Sequence, residues 1–233
     1  MDTVMKTTET IYKELLNRSE EEKRIVLPRF FKTGKGEYGE GDKFIGVTVP
    51  NVRFVARMFK DCTLEVVKLL LENPWHECRL CGLLILREKF SKTPQEVVEF
   101  YLSHTEGINN WDLVDLSAPY ILGSYLVNNP DREILYTLAA SEHMWENRIA
   151  IVATLMLIRN NQFEDTLKLA EILMEHKHDL MHKSIGWMLR EVGKKDVELL
   201  KGFLTKHCRR MPRIMLRYAL EKFPPEQRRE YYL

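Results

Sequence analysis

Apolar positions recur at intervals of three and four along almost the whole chain. Ile11-Tyr12, Leu15-Leu16 and Ile25-Val26 keep this spacing, as do Val66-Val67 with Leu69-Leu70-Leu71, and Val97-Val98 with Tyr101-Leu102. That is the period of amphipathic helices. Proline or small polar residues mark helix starts at Pro50-Asn51, Thr63, Thr93-Pro94, Asn129-Pro130-Asp131 and Pro224-Pro225, where a missing N–H or a capping side chain does no harm. No run of alternating β-branched residues is long enough to build a sheet. Phe44 to Val49 is the one candidate for extended chain and reads as a connector. The pattern predicts an all-α protein.

A repeat emerges when the aromatic helix starts are aligned. Trp75, Trp111 and Trp145 are 36 and 34 residues apart, Met181 follows after 36 and Met211 after 30. Each opens an apolar helix (Leu80–Leu86, Leu116–Leu122, Ile149–Ile158, Ile185–Leu189, Ile214–Leu220), and a shorter amphipathic helix precedes each. Helix pairs at this period predict a HEAT-like α-solenoid of antiparallel helix pairs over residues 1–233, a single domain with one concave face. Arg79, Arg148, Lys183 and Arg213 follow their helix starts by two to four residues, which puts cations on that face. In the repeat that begins at Trp111 the equivalent place holds Asp115. A lone acid in a basic row repels phosphate, so if the row binds a polyanion the acid serves chemistry.

Composition narrows the setting. The 233 residues are 45% hydrophobic and 30% charged, an ordinary soluble balance. No run of about 18 apolar residues is present, and Met1 to Glu9 lacks the apolar core of a signal peptide, so the expected compartment is the cytoplasm. Net charge is +1, yet Lys183 to Lys222 carries eleven Lys/Arg against four Asp/Glu, an excess of +7 over forty residues. Such a local field suits a phosphate backbone; a solvated lysine-rich face is the plainer reading. Cys78 and Cys81 form a C-x-x-C inside an apolar helical pattern with no second pair, so they read as buried small hydrophobes. His176, His178 and His182 lie close together but lack further ligands nearby, so no metal is expected. No catalytic-triad order, nucleotide fingerprint or Walker motif can be assembled, and no cofactor is expected.

Two helix faces carry candidate chemistry. Trp111 and Asp115, four apart, share one face. Asn109 and Asn110 are candidate caps, and the helix dipole gives Asp112 in the first turn a sufficient structural role. Asp115 sits beyond the reach of that argument, although a solvated or salt-bridged acid is the commoner fate of a helical Asp. Pro119 is expected to bend the helix. Lys183, Trp187 and Arg190 fall at i, i+4 and i+7 on another helix. Cations flanking a flat ring resemble a nucleic-acid contact surface; a Trp between repeats with two snorkelling cations is the alternative. Residues 32–43 hold four of the eleven glycines and read as a long flexible loop or as one that meets the ligand.

The runs Asn110-Trp-Asp-Leu-Val-Asp115, Trp145-Glu-Asn-Arg148 and Ser184-Ile-Gly-Trp-Met-Leu-Arg-Glu191 resemble the AlkD-type alkylpurine DNA glycosylases. Phe30 to Val47 is similar to the N-terminal region of proteins in that group. The resemblance implies a monomeric enzyme, without metal or cofactor, that holds duplex DNA in a concave groove and excises cationic N3- and N7-alkylated purines in base excision repair. It implies Asp115 as the catalytic carboxylate, Trp111 and Trp187 against the lesion's deoxyribose, and Arg148 and Arg190 at the backbone. It further implies that the base stays stacked, since a solenoid groove offers no obvious deep pocket. The chain departs from the family in carrying Phe30 or Phe31 where a Tyr is common, which bears on substrate preference. Two other readings remain: a non-catalytic HEAT-repeat DNA-binding protein and a protein scaffold, the latter disfavoured by the basic stretch.

Overall fold

The computed structural model describes residues 2–232. Among these, helices account for the secondary structure and no strand forms; one isolated parallel bridge joins Lys43 to Trp75. The chain forms two compact units, Met1–Ser117 and Ala118–Leu233.

The first unit contains α1 (Asp2–Leu16), α2 (Glu21–Phe30), α3 (Val49–Met58), α4 (Leu64–Leu71), α5 (His76–Lys89), α6 (Pro94–Leu102) and α7 (Trp111–Ser117). Prolines in the first turns of α3 and α6 fix their starts where the sequence pattern predicts them. Every residue from His76 to Leu86 of α5 is buried, and α5 packs against α1, α3, α4, α6 and α7. A helix surrounded by others loses its polar face, which is why Cys78 and Cys81 lie in its apolar run as free buried thiols. Burial pushes the Cys78 thiol up to about 12.

The second unit opens with a π-type turn at Pro119–Gly123, closed by Gly123 N–H donating to the Ala118 carbonyl at 2.9 Å. Pro119 has no N–H for the regular ladder, so the sequence break appears as a widened turn. Then follow α8 (Ser124–Leu126), α9 (Glu133–Ala139), α10 (Met144–Arg159), α11 (Glu164–Ile172), α12 (Asp179–Lys195), α13 (Val197–His207), α14 (Arg213–Ala219) and α15 (Pro225–Arg229). Here α10 is the central helix, buried from Asn147 to Leu155 and packed against α8, α9, α11 and α12. Asp196 caps α13 by accepting from the Glu198 and Leu199 N–H groups, each at 3.0 Å. No helix is long and apolar enough to cross a membrane among the described residues.

Candidate active site

A cleft of about 490 Å³ opens in the first unit. Its walls come from the end of α2 (Leu27, Phe30, Phe31), the segment Phe44–Pro50, the first turns of α5 (His76, Glu77, Leu80) and one face of α7 (Trp111, Asp112, Asp115, Leu116). Trp111 and Asp115, paired by spacing in the sequence, both line it and both are half-buried. Asp115 therefore faces a recess rather than the core.

The cleft's aromatic wall is a column of near-parallel rings. Trp111 lies 5.3 Å from Phe31 at 20°, Phe31 lies 4.9 Å from Phe44 at 17°, and Phe44 lies 4.6 Å from His76 at 24°. Phe30 meets Trp111 edge-on at 5.9 Å. Phe30 and Phe31 bring no hydroxyl to this wall.

Beneath the column lies a buried charge relay that the sequence pattern does not reveal. His76 Nδ1 bonds Asp42 at 2.9 Å and His76 Nε2 bonds Asp112 at 2.8 Å. Arg79 also pairs with Asp42 and donates to the Asn73 carbonyl and to Asn109 Oδ1. Burial opposes charge on His76, but Asp112 first and Asp42 next outweigh it and raise its pKa to about 9. Burial also works against the Asp42 carboxylate, yet the His76 hydrogen bond and the Arg79 charge hold it below its ordinary range. Asp112 is thus a buried ion-pair partner as well as a first-turn acid. Its Oδ1 is buried and lacks a hydrogen-bond partner.

The relay also accounts for residues 32–43. Asp42 ties the end of the loop to His76 and Arg79, and Gly34 and Gly36 N–H groups donate to Glu37 and Glu40 within it. The connector that follows is buried without a sheet because the Glu77 carboxylate accepts from the N–H groups of Ile45 (2.9 Å), Gly46 (2.8 Å) and Val47 (3.1 Å). The glycine-rich stretch is therefore tethered through Asp42 to α5 rather than a loose loop.

The second unit holds the other expected residues. On α12, Trp187 is half-buried and its Nε1 donates to Glu191 at 3.2 Å. Arg190 pairs with Glu221 of the chain beyond α14, and with Glu191 at 3.5 Å. Gly186, just before Trp187, lets α14 come close: a Cβ there would run into the Met215 carbonyl and lie 2.6 Å from Tyr218 Cβ. Lys183 is half-buried and Arg213 exposed, and neither has a carboxylate partner among the described residues. Arg148 is only 5% exposed, and its Nη1 donates to the Leu180 carbonyl at 2.6 Å, in the first turn of α12.

The expected row of cations thus divides. Arg79, also 5% exposed, is spent on Asp42, Asn73 and Asn109, so the expectation that it meets DNA is corrected: it is an interior anchor. Arg148 is likewise buried, and what it holds is the start of the helix that carries Lys183, Trp187 and Arg190. Lys183 and Arg213 keep free heads. The histidine cluster is structural: His178 Nδ1 accepts from Leu180 N–H at 3.1 Å to cap α12, and His182 bonds the His176 carbonyl. Among the described residues no group of three or more His, Cys, Asp or Glu is arranged to hold a metal.

A solved structure described as a predicted DNA alkylation repair enzyme from Enterococcus faecalis shares this fold, with a TM-score of 0.72 over 89% of this chain and 98% of that one, at 15% identity. No curated protein matches. The model of the DNA alkylation repair enzyme family matches residues 11–223, which includes every residue of the cleft and of the α12 face. The chain belongs to the DNA alkylation repair enzyme family.

Proposed function

We propose that the protein is a DNA glycosylase that excises cationic N3- or N7-alkylated purines from duplex DNA. The observation that carries this reading is Asp115: a carboxylate on the wall of an aromatic cleft, four residues from Trp111, in a chain of the alkylation repair family. Alkylation at N3 or N7 gives the purine a positive charge. When the bond from C1′ breaks, its electron pair returns to the ring, and the base leaves neutral without a general acid. The second carboxylate of an ordinary glycosidase pair is then unnecessary. The sugar left behind is an oxocarbenium ion. Asp115 stabilises that charge and takes the proton of the water that attacks C1′, giving an abasic site and a free alkylpurine. The electron-rich face of Trp111 serves the same cation, and Trp187 of α12 is proposed as an aromatic contact to the DNA.

Lys183, Arg190 and Arg213 are proposed to contact phosphates, and Arg148 to act through α12 as a positioning residue. The repeat register read from the sequence supports taking residues 1–233 as one HEAT-like domain. The base is proposed to stay stacked, as the family resemblance implies, with Asp115 acting at the sugar from the backbone side.

The test is release of 7-methylguanine from methylated duplex DNA by the purified protein. Asp115→Asn is expected to lower the rate at least about a hundredfold while duplex binding stays within about twofold. Undiminished release by that variant sinks the mechanism. A wild-type protein that binds DNA but releases no base favours the non-catalytic reading.

A further inference from the structure

Asp115 and Trp111 are carried by α7, a helix of seven residues. A helix that short has little hold on its own position, so whatever fixes its first turn fixes what it presents. Asp112 lies in that turn, three residues before Asp115 on the same face. His76 Nε2 bonds it at 2.8 Å from the start of α5. Just ahead of the helix, Asn109 Oδ1 accepts from Arg79 at 3.1 Å. Between them Asn110 is fully buried, and Gly39 of the glycine-rich stretch packs on it. A Cβ at Gly39 would lie 3.5 Å from Asn110 Nδ2 and would collide with the Phe31 carbonyl. The start of α7 is thus gripped from outside at Asn109, Asn110 and Asp112.

All three grips lead to Asp42. It bonds His76 Nδ1 at 2.9 Å, pairs with Arg79, and its N–H donates to the Gly39 carbonyl at 3.0 Å. The next residue, Lys43, accepts from the His76 N–H at 2.8 Å, so backbone and side chain together hold this end of the loop to α5. The ring column rests on the same hub: Phe31 lies 4.9 Å from the His76 ring, and Trp111 stacks on Phe31. The Asp42 side chain is only 3% exposed and does not line the cleft, so it acts through other residues. Buried ion pairs are poor sources of net stability, and their best-attested use is to fix one arrangement. The arrangement fixed here is that of the two cleft side chains to which the chemistry is assigned.

We propose that Asp42 is a positioning residue: through His76, Arg79 and Gly39 it sets α7 in place and so holds Asp115 and Trp111 for the reaction. The role rests on the glycosylase reading for the chemistry that Asp115 performs. Displacing a reacting group by about 1 Å can cost about a hundredfold in rate. Partial loosening of α7 therefore slows base release while leaving the phosphate contacts, which are assigned to α12 and α14, as they are.

The experiment compares wild type, Asp42→Ala and Asp42→Asn as full-length proteins, well below their melting temperatures. Two quantities are read: single-turnover release of 7-methylguanine from methylated duplex, and amide hydrogen exchange along the chain. Asp42→Ala is expected to release base about tenfold more slowly, with duplex affinity within about twofold. Its residues 109–117 are expected to exchange faster, while α10 and α12 exchange as in wild type. Asp42→Asn still offers Arg79 an acceptor and is expected to recover most of the rate. If Asp42→Ala does not fold, Asn109→Ala serves, an exposed position that cuts only the Arg79 tie. It is expected to give the same pattern with about a threefold loss. A wild-type rate in the Ala variant, a loss that follows duplex affinity, or exchange raised alike in α7, α10 and α12 overturns the positioning role. If wild type releases no base, the glycosylase reading falls, and exchange decides the grip on α7 by itself: faster exchange in residues 109–117 of the variant supports it, unchanged exchange overturns it.

Discussion

His76 is a buried cation held between two carboxylates, so its removal acts through the charges it leaves behind. In His76→Ala, Asp112 loses its one side-chain hydrogen-bond partner among the described residues, and Asp42 is left with Arg79. Breaking a buried pair from one side costs about 3–5 kcal/mol, and a loss of that order is expected in urea unfolding near neutral pH. The pH dependence identifies the cause. Because the folded-state pKa of His76 is raised from 6.5 to about 9, its contribution is complete below pH 6.5 and is lost as pH rises through about 9. That rise is worth on the order of 3 kcal/mol at 1.36 kcal/mol per pH unit. Asp42, lowered from 3.8, works in the other direction: its contribution is present above that value and lost in acid. The gap between wild type and His76→Ala is therefore expected to shrink steadily from pH 6.5 to beyond 9. A gap that stays constant over that range means His76 is not protonated in the fold. Little of this was legible in the sequence. Helix spacing put Trp111 and Asp115 on one face, which the structure keeps, but the partner of Asp112 lies 36 residues away, and no local period registers a contact of that separation. A His one residue after a Trp at the α5 start, and an Asp closing a glycine run, were the only traces.

Helices were the legible elements, because their starts depend on local chemistry: proline N-termini and apolar spacing placed α3, α6, α10 and α12 close to where they lie. The segment from residue 32 to 49 was the opposite case. Its order comes from Glu77 and His76 on α5, so its own glycines suggested looseness that the fold removes. The same contrast between local and distant causes separates two helical glycines. Gly202 in α13 is exposed, with nothing within 4 Å of where a Cβ would lie, so Gly202→Ala gains helix propensity and is expected to stabilise by up to about 1 kcal/mol. Gly186 in α12 faces the backbone of α14. There the same propensity gain is outweighed by overpacking, and Gly186→Ala is expected to cost about 1–3 kcal/mol and to loosen the helix that carries Trp187. Thermal unfolding of the two variants decides it; equal shifts of one sign would mean that α12 and α14 do not approach as closely as the structure places them.

At the scale of the whole molecule a net charge of +1 conceals how the basic stretch is spent. Of its cations, Arg190, Lys194, Lys201 and Lys222 pair with acids of the same stretch, and Arg210 with Glu175. Arg213 and Arg217 are exposed and without a carboxylate partner among the described residues, while Arg79, expected from the repeat alignment to join them, is buried. Counterion release distinguishes these fates. Each phosphate neutralised contributes about −0.9 to the slope of log affinity against log salt. Arg213→Ala is therefore expected to flatten the slope for duplex DNA by about one, and to weaken methylated and unmethylated duplexes alike. Arg79→Ala is expected to leave the slope unchanged and instead to lower thermal stability, because it strips Asp42 of one of its two cationic partners. Fluorescence anisotropy over a salt series with both variants measures this. Binding that ignores salt would support the protein-scaffold reading, in which the basic stretch is only a solvated surface. A slope that falls with Arg79→Ala but not with Arg213→Ala would place the DNA contacts on the first unit's anchor, contrary to its burial.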